Sequence, residues 1–177
     1  MIDNDYVYET NLGVDLDYFK NLALSKQNKN VEGLMNHQRL VKDDPYMESI
    51  RKQYPFLSNM YNIYTTREFN SMPIHIDAKR KCAINIPIQN TETSDTIFYE
   101  LSGIPELEHV PKFVYHLVKS TAVEVFRFSL LKPTLINNSV PHSVVNSTNK
   151  ERIIISWSIS DQYDFDKVKN ILKFTNI

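Results

Sequence analysis

The segment MPIHIDAKRKCAINIPIQN, residues 72–90, places His75 and Asp77 two apart in a stretch that reads as extended chain. On a strand, side chains i and i+2 leave the same face. The imidazole and the carboxylate therefore point together, while Ile74, Ile76 and Ala78 point the other way. Two such donors can chelate a divalent ion, but a stable site needs a third. His-x-Asp alone also arises as a surface polar pair, so its weight depends on what else the chain offers. A third donor, His142, follows a turn and opens HSVVN. Ten residues on, Arg152 stands at the start of the apolar run RIIISWSI, sharing one face with Ile154, Ser156 and Ser158. A buried arginine is costly unless it meets an anion, and its planar fork suits a carboxylate. Two imidazoles and one carboxylate on one side of an ion leave its other positions open, which suits non-haem Fe(II) with oxygen chemistry.

Other residues can be placed around this set. Asn85 in CAINIPI shares a face with Ala83 and Pro87 and aims toward the same side, where it can bind a co-substrate; Ser156 adds a hydroxyl. Tyr64 and Tyr99 are strand tyrosines able to line a pocket through their hydroxyls, although packing is the commoner role. Arg80 lies in a loop near the mouth of the site, where it can contact substrate although solvation is usual, and Arg127 alternates with Phe126 and Phe128, able to bind substrate or co-substrate but expected rather to reach solvent. Cys82 reads as packing. His109 and His116, seven apart, have no ligand set around them.

The elements that must position these residues follow from periodicity. Residues 15–27 space Leu16, Phe19, Leu22 and Leu24 as a helix, with Asp15 as cap. Asp44 before Pro45 signals a second helix start, with Tyr46, Met47 and Ile50 inward. The period then changes to two. Strands are expected at 59–69, 73–77, 81–89, 95–101, 122–130, 133–137, 142–146 and 151–159. A helix is expected at 111–120. A last helix should place Phe165, Val168, Ile171 and Leu172 on one face. Short strands separated by turn clusters such as NTETSD and NSTNKE indicate a sandwich or barrel, with a jelly roll as the natural form. The expected organisation is one domain: a helical N-terminal cover (1–58), a β core (59–160) and a C-terminal helix (161–177).

Composition narrows the function classes. The 177 residues have a net charge of −1, with 23% charged and 42% hydrophobic residues. No basic excess exists to neutralise phosphates, which argues against a nucleic-acid binder. Three glycines and the absence of GxGxxG or GxxxxGK[ST] remove the main support for nucleotide folds. One cysteine permits no intramolecular disulfide and fits a reducing, cytoplasmic setting. No secretory signal and no membrane-length apolar run is expected.

His75-x-Asp77, His142 after 67 positions and Arg152 ten further on resemble the iron- and 2-oxoglutarate-dependent oxygenases. The texture of HIDAKRKCAINIPI and NNSVPHSVVNSTNKERIIISWSI is similar to small bacterial and phage members and to the aspartyl/asparaginyl β-hydroxylase-like branch. The resemblance covers roughly residues 60–160; the first 55 match no family. It implies a double-stranded β-helix, a form of jelly roll or cupin. It implies that His75, Asp77 and His142 hold Fe(II), and that 2-oxoglutarate chelates the iron with Arg152 on its distal carboxylate. O2 and a small-molecule or peptidyl substrate complete the reaction, a hydroxylation with decarboxylation to succinate. The chain departs from the family pattern in having no glycine before the second ligand strand, where Pro133 and Asn137-Asn138 can make the turn. A non-catalytic jelly-roll binding module and a metal-dependent cupin enzyme without 2-oxoglutarate remain alternatives. Substrate identity and oligomeric state are not legible.

Overall fold

Alternating segments become strands because each buries one face, and here the chain carries enough of them for two sheets. The structure, a computed structural model, describes residues 1–26, 35–41, 44–110 and 115–175. In chain order the elements are β1 (Val7–Glu9), α1 (Leu16–Lys26), β2 (Met35–Val41), α2 (Pro45–Gln53), β3 (Leu57–Thr66), β4 (Asn70–Asp77), β5 (Cys82–Gln89) and β6 (Ser94–Leu101). They continue with β7 (Leu107–Val110), β8 (Tyr115–Val118), β9 (Ala122–Ser129), β10 (Thr134–Asn137), β11 (His142–Asn146), β12 (Arg152–Ile159) and α3 (Phe165–Thr175).

Two six-stranded antiparallel sheets result, ordered β1-β10-β5-β12-β3-β2 and β7-β8-β4-β11-β6-β9. From β3 to β6, and again from β9 to β12, the chain changes sheet at every connection. That alternation is the winding of a double-stranded β-helix, or jelly roll, as the strand pattern implied.

The two faces of the first sheet bury different things. Its outer face carries Ile63, Ile84, Ile86, Ile153, Ile155 and Trp157 in one apolar cluster with Phe19, Met47 and Phe165 of the helices. Trp157 is fully buried and donates its indole N–H to the Ser58 carbonyl at 2.7 Å. Its inner face meets the second sheet through Val7, Ile136 and Ile154 against Phe98 and Phe128. Each helix begins on an aspartate that accepts backbone N–H groups: Asp15 from Tyr18, Asp44 from Tyr46 and Met47, and Asp164 from Lys167.

Several expectations need correction. The N-terminal region is not a helical cover alone, because β1 and β2 extend the first sheet at both edges. Three residues suffice for β1 because Val7 packs inward opposite Ile136, too short a pattern to read as a strand. In α1, Leu16 and Leu24 lie outward, and Phe19 with Ala23 forms the buried stripe. Where a helix was expected at 111–120, residues 115–118 form β8; 111–114 lie outside the described residues. Pairing with β4 (His75 opposite Leu117) and β7 decides this segment over its local helical pattern. His109 and His116 are consequently opposed across two strands, not stacked along a helix. No helix among the described residues is long and apolar enough to cross a membrane.

Candidate metal centre

The second sheet brings the separated donors together by register. His75 on β4 and His142 on β11 are direct cross-strand partners, with ring centroids 4.2 Å apart. Asp77 follows on the same face of β4. One ligand atom from each of His75, Asp77 and His142 lies within 4.8 Å of the others. Both imidazoles are buried. The turn before β11 needs no glycine: Asn137 Oδ1 accepts the Ser139 N–H at 3.2 Å. The Asp77 N–H donates to the Asn138 carbonyl at 3.2 Å, which stitches this turn to the end of β4.

The rings are prepared as metal ligands. In each, Nδ1–H donates to the carbonyl two residues earlier, Pro73 for His75 and Val140 for His142, both at 2.8 Å. This places the proton on Nδ1 and makes Nε2 the lone-pair nitrogen of each ring. Burial, helped by the neighbouring His142, pushes the His75 pKa down to about 3. Burial also lowers that of His142. Both rings are therefore neutral near pH 7, the form that binds a cation. Two neutral imidazoles and a carboxylate, converging and buried, fit a divalent metal ion.

The Asp77 carboxylate divides its two oxygens. Oδ1 lies 3.9 Å from His75 Nε2. Oδ2 accepts from Arg80 Nε at 3.0 Å and from Nη2 at 2.9 Å. Arg80, expected in solvent, instead turns inward and spans the two sheets. Its Nη1 donates to Ser156 Oγ at 2.9 Å, and Ser156 Oγ donates in turn to Asn85 Oδ1 at 2.5 Å. The guanidinium also lies 5.6 Å from the Tyr64 ring centroid. Burial works against the Arg80 charge, but Tyr64 and Asp77 more than offset it and its pKa rises. Ser156 and Asn85 thus stand on the pocket side as the alternation implied, occupied with each other and with Arg80.

Arg152 is the opposite case. It is 2% exposed, and among the described residues no hydrogen bond or ion pair reaches it; its Nε is buried without a partner. Burial alone lowers its pKa to about 10. Thr66, directly across from it on β3, likewise buries a hydroxyl with no partner. Two unsatisfied polar groups therefore sit side by side on the inward face of the first sheet. They lie four residues along β12 from Ser156, about 13 Å at strand rise. No local pattern marked Thr66, because only the β3–β12 register sets it beside Arg152. Arg80 carried a faint one, standing three residues after a ligand carboxylate.

The remaining candidates fall outside this set. The Tyr99 hydroxyl pairs with Ser143 Oγ at 3.0 Å, on the face opposite His142. Arg127 forms surface ion pairs with Asp95 and Glu124. Cys82 is packed in the core, where burial pushes its thiol up to about 12. A cavity of about 170 Å3 opens beside Lys79, Cys82 and Tyr163, and none of His75, Asp77, His142 or Arg152 lines it.

No protein-family model matches the chain, and no curated protein matches it in sequence. Solved structures with a similar chain path include a prolyl-4-hydroxylase from Pseudomonas putida, at 12% identity and TM-score 0.47, covering 88% of this chain and 92% of that one. Vicilin from hazelnut, Corylus avellana, is similar at 10% identity and TM-score 0.43 over 79% of this chain. The Bacillus subtilis oxalate decarboxylase, which has Mn(II) centres, is similar at 10% identity and TM-score 0.42 over 80% of this chain. The chain spans 33% of the vicilin and 29% of the decarboxylase.

Proposed function

We propose that this chain is an Fe(II)- and 2-oxoglutarate-dependent oxygenase that hydroxylates a small-molecule or peptidyl substrate with O2. In this reading His75, Asp77 and His142 hold the metal, and residues 59–160 are the catalytic core with the N- and C-terminal segments around it. The observation that carries it is the pair Arg152 and Thr66, whose side chains are unpartnered among the described residues and lie on the inward face of the first sheet. A guanidinium buried without an anion costs several kcal/mol. A ligand carboxylate would relieve that cost, with the Thr66 hydroxyl as a second donor. A ligand that chelates a metal at one end and presents a carboxylate at the other is a keto dicarboxylate, and 2-oxoglutarate has that form. Bound Fe(II), with 2-oxoglutarate and O2, supplies the oxidising power for C–H hydroxylation while 2-oxoglutarate is decarboxylated to succinate.

The protein's own groups have three tasks. His75 and His142 stay neutral and keep their Nε2 atoms directed at one point. Asp77 supplies the compensating negative charge. Arg152 and Thr66 set the orientation of the co-substrate.

Anaerobic addition of Fe(II) and then 2-oxoglutarate tests the proposal. A weak visible charge-transfer band, followed by succinate on admission of air, is the expected result. Metal binding without 2-oxoglutarate binding would favour a cupin enzyme of another kind, and binding of neither would favour a ligand-recognition module.

A further inference from the structure

Arg80 hydrogen-bonds a candidate metal ligand and the opposite sheet at once. Both of its contacts to Asp77 go to Oδ2, and none goes to Oδ1. Its other arm is held by Ser156, and Ser156 is held by Asn85. Tyr64 backs the guanidinium plane. Four residues from four strands therefore fix where this one cation sits, and the cation fixes which carboxylate oxygen remains available.

We infer that Arg80 is a positioning residue that keeps Asp77 a single-oxygen ligand. The inference rests on the metal-centre reading above and adds a consequence to it. An octahedral ion bound by two imidazoles and one carboxylate oxygen keeps three positions open. A chelating keto acid and O2 would need those positions. If Asp77 chelated through both oxygens, one of these positions would be lost. By engaging Oδ2 through two N–H groups, Arg80 holds that position open. A lysine would keep the charge but not the fork, so it should substitute only in part. Ser156 and Asn85 act here through Arg80.

The test uses the full chain loaded with Co(II), whose visible d–d bands report coordination number. Wild type, Arg80→Gln, Arg80→Lys and Asp77→Ala are compared, each checked for folding by circular dichroism. The expected result for Arg80→Gln is a changed Co(II) spectrum and at least a tenfold loss of 2-oxoglutarate affinity for the Co(II)-loaded protein. Arg80→Lys should fall between it and wild type, and it is read in place of Arg80→Gln if the latter does not fold. A wild-type spectrum and wild-type 2-oxoglutarate affinity in the folded variant would overturn the role of Arg80. Failure of the wild type to bind Co(II), or retention of full binding by Asp77→Ala, would instead remove the metal centre itself.

Discussion

Arg80 and Arg152 both face the interior between the sheets, Arg80 partly buried and Arg152 fully buried, and they differ above all in their partners. Arg80 has Asp77, Ser156 and Tyr64 around it, whereas Arg152 has no partner among the described residues. Burial depresses the pKa of Arg152 to about 10, while the neighbours of Arg80 raise its pKa despite burial. The physical lesson is that a partnered charge contributes to the fold, whereas an unpartnered buried one is a cost that a bound anion would relieve. In the proposed reading, Arg80 organises the site and Arg152 binds the co-substrate.

The comparison can be broken most decisively at Arg152. Arg152→Met should lower 2-oxoglutarate affinity of the metal-loaded protein about a hundredfold, as expected for loss of a buried charge contact of about 3 kcal/mol. Titration calorimetry measures this. The same substitution should raise the stability of the ligand-free chain by about 1–3 kcal/mol in urea denaturation, because it removes a desolvated charge. The depressed pKa means this penalty is present at neutral pH and is relieved only above about pH 10. A variant destabilised by as much would show that Arg152 is a structural residue.

Arg80→Met should move stability the other way. It leaves the Asp77 carboxylate, 12% exposed, without its cation. A loss of about 3 kcal/mol is expected, read as a lower urea midpoint. Opposite signs for the two arginines would sharpen the distinction, and equal signs would erase it.

Acid provides a third measurement. The His75 pKa is about 3 in the fold, against about 6.5 in the unfolded chain. Between these values the unfolded state binds the extra proton. Stability from this group is thus complete above about pH 6.5 and is lost as pH falls toward 3, by at most about 1.4 kcal/mol per pH unit. In metal-free protein, urea midpoints followed over this window should fall more gently for His75→Gln than for wild type.

The smallest effect is expected at Thr66. Thr66→Val removes the second unsatisfied group and should weaken 2-oxoglutarate about fivefold, the worth of one hydrogen bond of about 1 kcal/mol. The ligand-free fold should be unharmed. Unchanged affinity would leave Arg152 to act without it.

Much of this molecule follows from local pattern. The period of two located the eight core strands to within three residues, since burial on one face requires alternation regardless of topology. Aspartates 15 and 44 marked helix starts because their side chains satisfy N–H groups that no helix can satisfy itself. The candidate cluster was legible in part, because His75 and Asp77 share a strand face and His142 opens a later strand. What the local pattern could not decide was direction out of a loop and partner across a sheet. Arg80 was indistinguishable from a solvated loop cation until the turn after β4 returned it to Asp77. Thr66 gained meaning only through its register with Arg152, and residues 115–118 became a strand because β4 offered them an open edge. Each of these depends on contacts between residues distant along the chain, and those contacts exist only once the sheets have closed.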